Sequence, residues 1–243
     1  MTTCAVIPAA GRGTRLGMDL PKILARVTPA RTIWDLLRER LTPLVDHIQL
    51  VISPDGARHL APPPGVSVAI QRTPLGMGDA VFCGREEWSE FERILVVWGD
   101  QVNLSRSTLE RALRLHSSLP APACAIPLVL LDKPYVQYDF NGGPLWRIRQ
   151  TREGDVTDDR GYSDAGLFVL STRGLTGLWE RYLATAKPGS QTAEINFLPF
   201  LVYLAQVAHW PQGTFEIQDP GEARGVNTAA DLEFARQMAN SSH

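Results

Sequence analysis

The chain begins with CAVIPAAGRGTRLGMDLPK (residues 4–22), an apolar run followed by a loop that holds three glycines and two arginines and ends on Pro-Lys. The apolar run is typical of a strand buried on both faces of a parallel sheet. In such sheets ligands bind beyond the carboxyl ends of the strands, and this loop leaves such an end. Because glycines let a ligand approach the backbone N–H groups closely, the stretch predicts an anion-binding loop after the first strand.

The basic side chains of this loop indicate that the anion is a polyphosphate. Arg12 and Arg15 carry guanidinium groups that match phosphate oxygens, and Lys22 adds a point charge after Pro21. A P-loop would need the pattern GxxxxGK[ST], which is absent because Lys22 follows a proline and not a glycine. A dinucleotide loop would need GxGxxG, which is absent because Gly17 comes one residue too late. An ordinary glycine-rich turn with solvated arginines remains the alternative at this point.

Composition limits the class of protein. The chain has 243 residues, is 44% hydrophobic and carries a formal net charge of −2, so it is large enough for one α/β domain and has no general basic field for nucleic acid. No apolar run reaches the length of a membrane span, and no signal sequence is apparent. The three cysteines (Cys4, Cys83 and Cys124) lie in apolar segments without metal-binding spacing, which predicts small core residues in a reduced, cytoplasmic protein.

Apolar runs alternate with amphipathic stretches in the first half of the chain. Strands are predicted at residues 4–8, 48–53, 66–71, 94–98 and 124–130, and helices at 33–41, 78–87 and 107–116. This alternation predicts an α/β fold with a Rossmann-like, mostly parallel sheet and flanking helices.

The pattern changes after residue 132. YVQYDFNGGPLWRIRQ (residues 135–150) alternates around an Asn-Gly-Gly turn and predicts an antiparallel hairpin, and GLFVLS (166–171) predicts one more strand. Helices are predicted at 175–184, at 194–204 and from about residue 228. We therefore expect one domain over residues 1–240, with a half that carries the predicted polyphosphate loop to about 132, a small antiparallel lid or substrate lobe with return strands at 133–227, and a closing helix at 228–239.

Four stretches together resemble the sugar-1-phosphate nucleotidyltransferases. AAGRGTRLGMDLPK (9–22) resembles the family signature GxGTRx…PK, and its DLPK ending is most similar to the uridylyltransferase domain of the N-acetylglucosamine-1-phosphate uridylyltransferases. QRTPLGMGDAV (71–81), VVWGDQV (96–102) and GVNTAADL (225–232) follow in the family order. The resemblance implies the nucleotide-diphospho-sugar transferase fold and transfer of a nucleoside monophosphate to a sugar phosphate.

Asp100, just beyond a buried strand, is the predicted metal ligand. A carboxylate beside bound phosphates is repulsive unless Mg²⁺ lies between them, and magnesium needs only one or two protein ligands. The resemblance implies that Asn227 is the second ligand. Capping roles remain open for both residues, since Asn227 or Thr228 would also suit the start of the last helix.

The resemblance also assigns roles at the nucleotide. Arg15 would act on the leaving phosphates and Lys22 on the charge shared by the two substrates, which makes them the predicted catalytic residues. Gln71 offers an amide to a base edge, and Gly76 offers backbone contact. UTP is the first choice, with GTP, CTP and dTTP open, because Met77 and Asp79 depart from the family pattern. The predicted nucleotide-binding residues are Ala9, Ala10, Gly11, Arg12, Gly13, Thr14, Gln71 and Gly76.

The sugar side departs further from the family. Val136 stands where the family has glycine, Gln150 where it has glutamate, and Asp164 where it has asparagine, while Glu194 matches a family glutamate only weakly and would also suit a helix start. A polar site rejects ligands that leave its groups unpaired. We therefore expect an acceptor other than N-acetylglucosamine-1-phosphate, and an anionic Asp164 would suit an amino group. These four are the predicted sugar-binding residues.

Other functions stay open from the sequence. A cytidylyltransferase of isoprenoid synthesis also begins with PAAG, but it carries Asp-Ala-Ala-Arg-Pro where this chain has GDQVNLS (99–105). Transfer of CMP to another alcohol phosphate or phosphonate, a non-catalytic nucleotide-binding protein, and finally a dinucleotide-dependent oxidoreductase are the further alternatives. No hexapeptide repeat for acetyl transfer is present. We expect neither nucleic acid nor membrane as a partner, and monomer and homodimer both remain possible.

Overall fold

The computed structural model describes residues 1–11 and 20–241, with side chains to residue 239. Arg12, Gly13, Thr14, Arg15 and Gly17 of the predicted phosphate loop therefore lie outside the described residues.

The strands are β1 Thr3–Pro8, β2 His47–Ile52, β3 Val66–Ile70, β4 Arg93–Val97, β5 Cys124–Asp132, β6 Val136–Asp139, β7 Arg147–Gln150, β8 Arg160–Asp164, β9 Leu167–Ser171 and β10 Gln212–Ile217. One mixed sheet forms the centre of the molecule, in the order β10-β5-β9-β4-β1-β2-β3, with β8 paired to β5. β1 pairs in parallel with β2 and with β4, and β2 pairs in parallel with β3, so these four carboxyl ends share one edge. β9 runs antiparallel between β4 and β5, and β10 is parallel to β5.

Helices cover both faces of this sheet. They are α1 Ile33–Leu41, α2 Pro54–Ala57, α3 Met77–Phe82, α4 Arg85–Trp88, α5 Arg106–Ser118, α6 Leu175–Leu183, α7 Leu198–Gln206 and α8 Ala229–Ser241. None of the helices in the described ranges is long and apolar enough to cross a membrane.

The two faces of β1 belong to two separate apolar cores, which explains its continuous hydrophobic sequence. Ala5 and Ile7 pack with α1 and α5 on one face, and Cys4 and Val6 pack with α3, α6 and α7 on the other. Successive side chains of a strand point to opposite faces, so a central strand covered on both sides needs apolar residues at every position. The predicted α/β fold with its parallel strands is confirmed, and β6 and β7 form the predicted antiparallel hairpin.

Several predicted elements differ in the structure. The helix predicted at 78–87 is divided into α3 and α4 at Gly84, whose carbonyl accepts a hydrogen bond from the buried Gln49 amide at 3.1 Å. The helix predicted from Glu194 begins only at Leu198, so Glu194 does not start a helix. β8 and β10 were not predicted. Cys83 is exposed, which corrects its assignment as a core residue; Cys4 and Cys124 are buried.

Candidate active site

Three polar side chains from distant parts of the chain meet beyond the carboxyl ends of β1 and β4. Nζ of Lys22 donates hydrogen bonds to Oδ2 of Asp100 at 2.7 Å and to Oδ1 of Asn227 at 3.0 Å. The side chains of Lys22 and Asp100 are 20% and 17% exposed, so their ion pair is screened less than one on the open surface. The structure thus brings together the predicted catalytic lysine and both predicted metal ligands.

Local backbone contacts place two of these residues. Lys22 begins a 3-10 helix directly after Pro21, and this turn closes through a hydrogen bond from Ala25 N to Lys22 O at 2.9 Å. Asp100 follows Gly99, whose N–H donates to Pro8 O at 3.1 Å. A Cβ at Gly99 would lie only 2.7 Å from that carbonyl oxygen, so glycine lets the end of β4 come close to the end of β1.

The third residue, Asn227, does not cap the last helix. Thr228 does so: its Oγ1 accepts from Asp231 N at 3.2 Å, and Asp231 Oδ2 accepts from Thr228 N at 2.8 Å. This reciprocal cap leaves the Asn227 amide directed at the lysine. Val226 N donates to Asp100 O at 3.0 Å, which fixes the segment before α8 beside Asp100.

A small cavity of about 130 Å³ lies against this cluster. Ala9, Gly11, Lys22 and Asp100 are the predicted site residues that line it, and the half-buried Ala10 lies between the first two in sequence. The other lining residues are Pro8, Ile23, Met77, Trp98 and Gly99. None of them was predicted as a site residue, although Met77 was noted as a departure from the family pattern. Trp98 could have been predicted as a lining residue, because it stands directly before Gly99 and Asp100 in the sequence. It packs against Phe168 and Phe197 with ring centroids 5.1 and 5.5 Å away, which places it firmly beside the cavity.

The oxygen atoms in this cluster suit a divalent cation. One carboxylate oxygen of Asp100 and the amide oxygen of Asn227 converge on a single cationic nitrogen. Oxygen ligands in small number are what Mg²⁺ takes from a protein when substrate phosphates and water complete its octahedron. No group of three or more His, Cys, Asp or Glu side chains suited to a metal occurs among the residues described.

Gln71 and Gly76 lie in one ordered turn after β3. Gln71 N donates to Ile52 O at 3.0 Å, which prolongs the pairing of β3 with β2, and the residue as a whole is 6% exposed. Gly76 has φ 118° and ψ 176°, a region that is essentially restricted to glycine. The turn is also anchored from outside, since Ile195 N donates to Leu75 O at 2.8 Å and Gly78 N donates to Ile195 O at 3.1 Å.

The predicted sugar-binding residues occupy the antiparallel part of the molecule. Val136 and Gln150 are cross-strand partners in the β6–β7 hairpin, with Gln150 buried and Val136 half-buried. Asp164 ends β8, where Oδ2 accepts from the Tyr138 hydroxyl at 3.1 Å and Oδ1 accepts from Gly166 N at 2.7 Å. Burial raises the pKa of the Asp164 carboxyl, and the negative charge of Asp100 adds to that increase, so these two carboxylates belong to one electrostatic environment.

Glu194 connects the antiparallel part of the molecule with the turn after β3. The Glu194 carboxylate pairs with Arg152. The Cβ of Glu194 packs so closely against Gly76 that a Cβ added at Gly76 would lie only 2.9 Å from it. The loop before it is held by Glu153, a residue that the sequence analysis did not single out. The Glu153 carboxylate accepts from Thr192 Oγ1 at 2.6 Å and from Asn196 Nδ2 at 3.1 Å.

Comparison with known proteins identifies relatives of this chain. The family model of the MobA-like NTP transferase domain matches residues 5–129. The chain is 33% identical to the bifunctional protein GlmU of a Ruegeria species over 249 residues, covering 98% of this chain and 53% of that protein. It is 27% identical to the bifunctional protein GlmU of Acidithiobacillus ferrooxidans over 246 residues, covering 98% and 52%. The chain therefore spans about half the length of these relatives.

A solved structure shows the same fold. The crystal structure of 4-diphosphocytidyl-2C-methyl-D-erythritol synthase from Anaerococcus prevotii matches with a TM-score of 0.67, 13% sequence identity, and coverage of 98% of this chain and 96% of that one. At this identity the match supports the fold and leaves the substrate open.

Proposed function

The chain belongs to the family of MobA-like NTP transferase domains, and from this premise we propose that it transfers a nucleoside monophosphate from a nucleoside triphosphate to a sugar phosphate, with release of pyrophosphate. The observation that carries the proposal is the convergence of Lys22, Asp100 and Asn227 beyond the carboxyl ends of β1 and β4. UTP is the first choice of donor, since the DLPK ending of the loop resembles that of the uridylyltransferase domains. GTP, CTP and dTTP remain further candidates.

The proposed reaction needs no general base. A phosphate oxygen of the sugar-1-phosphate, already anionic, attacks the α-phosphorus of the triphosphate; a new P–O bond forms, the bond to the β-phosphate oxygen breaks, and pyrophosphate leaves. Catalysis then consists of positioning and charge neutralisation. Lys22 would neutralise charge shared by the two substrates, and Arg15, outside the described residues, would act on the leaving phosphates.

Asp100 and Asn227 would hold Mg²⁺ in this proposal. The ion, when bound, would supply positive charge to the phosphate oxygens and orient them. Lys22 lies between both ligand oxygens, so the lysine and the ion would share the compensation of the Asp100 charge.

The acceptor that we propose is a sugar-1-phosphate or a cyclitol or amino-sugar phosphate other than N-acetylglucosamine-1-phosphate. Gln150 and Asp164 replace a glutamate and an asparagine of the family pattern, which changes the charge at both positions. The buried Asp164 keeps lone pairs for a donor group even while it accepts hydrogen bonds from Tyr138 and Gly166. A hydroxyl or amino group of the acceptor would be its partner.

Pyrophosphate release over a grid of triphosphates and sugar phosphates with Mg²⁺ tests the proposal. One pair should give release, and Asp100→Asn should reduce it by about 10²-fold or more, since it removes charge compensation at the transition state. Asp132→Asn is the matched control: its side chain is 88% exposed, pairs with Arg160 at 3.8 Å and does not line the cavity, and the change should leave the rate unchanged. Binding of a triphosphate without release for any acceptor would instead indicate a nucleotide-binding protein.

A further inference from the structure

The side-chain amide of Gln71 has both of its N–H groups engaged. Nε2 donates to Gly76 O at 3.1 Å and to Oδ2 of Asp79 at 2.8 Å. No hydrogen bond from another described residue reaches Oε1. The one group of this amide that is left for a ligand is therefore a hydrogen-bond acceptor.

The orientation of this amide is determined by its surroundings. Both partners of Nε2, a carbonyl and a carboxylate, can only accept, so turning the amide over would place Oε1 against two oxygens. The carbonyl cannot move away, because the backbone around Gly76 is held by the two hydrogen bonds of Ile195. Gln71 is also 6% exposed, so the cost of an unsatisfied amide is not relieved by water.

We propose that Asp79 is a positioning residue that fixes Gln71 as an acceptor, so that the site selects nucleobases whose central Watson–Crick ring nitrogen carries a hydrogen. Uracil, thymine and guanine present an N–H at that position, whereas cytosine and adenine present a lone pair. A free glutamine amide serves either kind of base by turning over; the carboxylate of Asp79 removes that freedom. The inference rests on the proposed function, since it assumes that a base lies at Gln71.

Binding measured by titration calorimetry tests this, with two pairs of ligands of nearly equal shape: UTP against CTP, and GTP against ATP. The wild-type protein should bind the first member of a pair more tightly, by about tenfold. Asp79→Asn keeps the shape and lets the new amide donate to Gln71, so that only Gly76 O still favours the original orientation and the preference should fall by more than twofold. Asp79→Ser, whose hydroxyl both donates and accepts, should do the same, while Asp132→Asn should keep the preference.

Three results would overturn the inference. The first is tighter binding of CTP or ATP by the wild-type protein, and the second is a preference that stays within about twofold of wild type in both Asp79 variants. In either case pyrophosphate release would still stand as a test of the proposed function by itself. The third is a failure of every triphosphate to bind, which would remove the proposed function together with this inference.

Discussion

Replacing Gly76 with alanine should destabilise the protein by two separable effects. The first is backbone strain, because φ 118° and ψ 176° lie in a region that costs a residue with a Cβ about 1–3 kcal/mol. The second is a collision, because the added Cβ would lie 2.7 Å from Ile195 O and 2.9 Å from Ile195 N. Backbone atoms cannot yield as the end of a side chain can, so we expect a total of roughly 3 kcal/mol or more.

Two other glycines serve as matched controls. Gly174 has φ 78° but an added Cβ would meet nothing within 4 Å, so Gly174→Ala should show the strain of a left-handed conformation alone, about 1–2 kcal/mol. Gly177 lies inside α6 with open space around it, so Gly177→Ala should stabilise the protein by about 0.5–1 kcal/mol.

Equilibrium unfolding in urea measures all three variants on the same scale. The expected order of stability is Gly177→Ala, wild type, Gly174→Ala and Gly76→Ala. Triphosphate binding should weaken in Gly76→Ala alone, because that turn also carries the carbonyl that holds Gln71. If Gly76→Ala were no less stable than Gly174→Ala, the contact between this turn and the segment at Ile195 would contribute nothing, and the reasoning would be wrong.

Three further predictions follow from the described contacts. Lys22→Met should lower pyrophosphate release by about 10²-fold, since it removes the cation between Asp100 and Asn227, whereas Lys187→Met, at an exposed position, should not. Burial raises the pKa of Glu153, but hydrogen bonds from Thr192, Gln191 and Asn196 outweigh it and lower the pKa from 4.5 to about 2. Because the folded pKa lies below the unfolded one, this stabilisation is present above about pH 4.5 and is lost as the pH falls towards 2. The difference in unfolding free energy between wild type and Glu153→Gln should therefore be largest at neutral pH, up to roughly 3 kcal/mol, and shrink over that range; a difference independent of pH would contradict this. Finally, a small thiol reagent should label the native protein at Cys83 and reach Cys4 and Cys124 only on unfolding, which mass spectrometry of labelled peptides would show.

Local pattern was sufficient to predict the central part of the sheet. β1, β2, β3, β4 and β5 all begin and end within two residues of the predicted limits, because a strand covered on both faces needs an uninterrupted apolar run. The hairpin of β6 and β7 was predictable for a similar reason, since its Asn-Gly-Gly turn is local chemistry. The amphipathic helices α1 and α5 followed from their period.

Contacts between distant segments decided the rest. β8 and β10 carry mixed polar sequences and exist as strands because β5 pairs with them. The break at Gly84 depends on the amide of Gln49, and the late start of α7 depends on hydrogen bonds between Ile195 and the turn after β3. The same holds at the candidate site. The family resemblance predicted Lys22, Asp100 and Asn227 as site residues, but only the folded chain shows that their side chains meet. It also shows that Thr228, rather than Asn227, caps α8. Periodicity and capping are properties of neighbours in sequence, whereas the direction of an amide or an ammonium group is determined by whatever the rest of the fold places beside it.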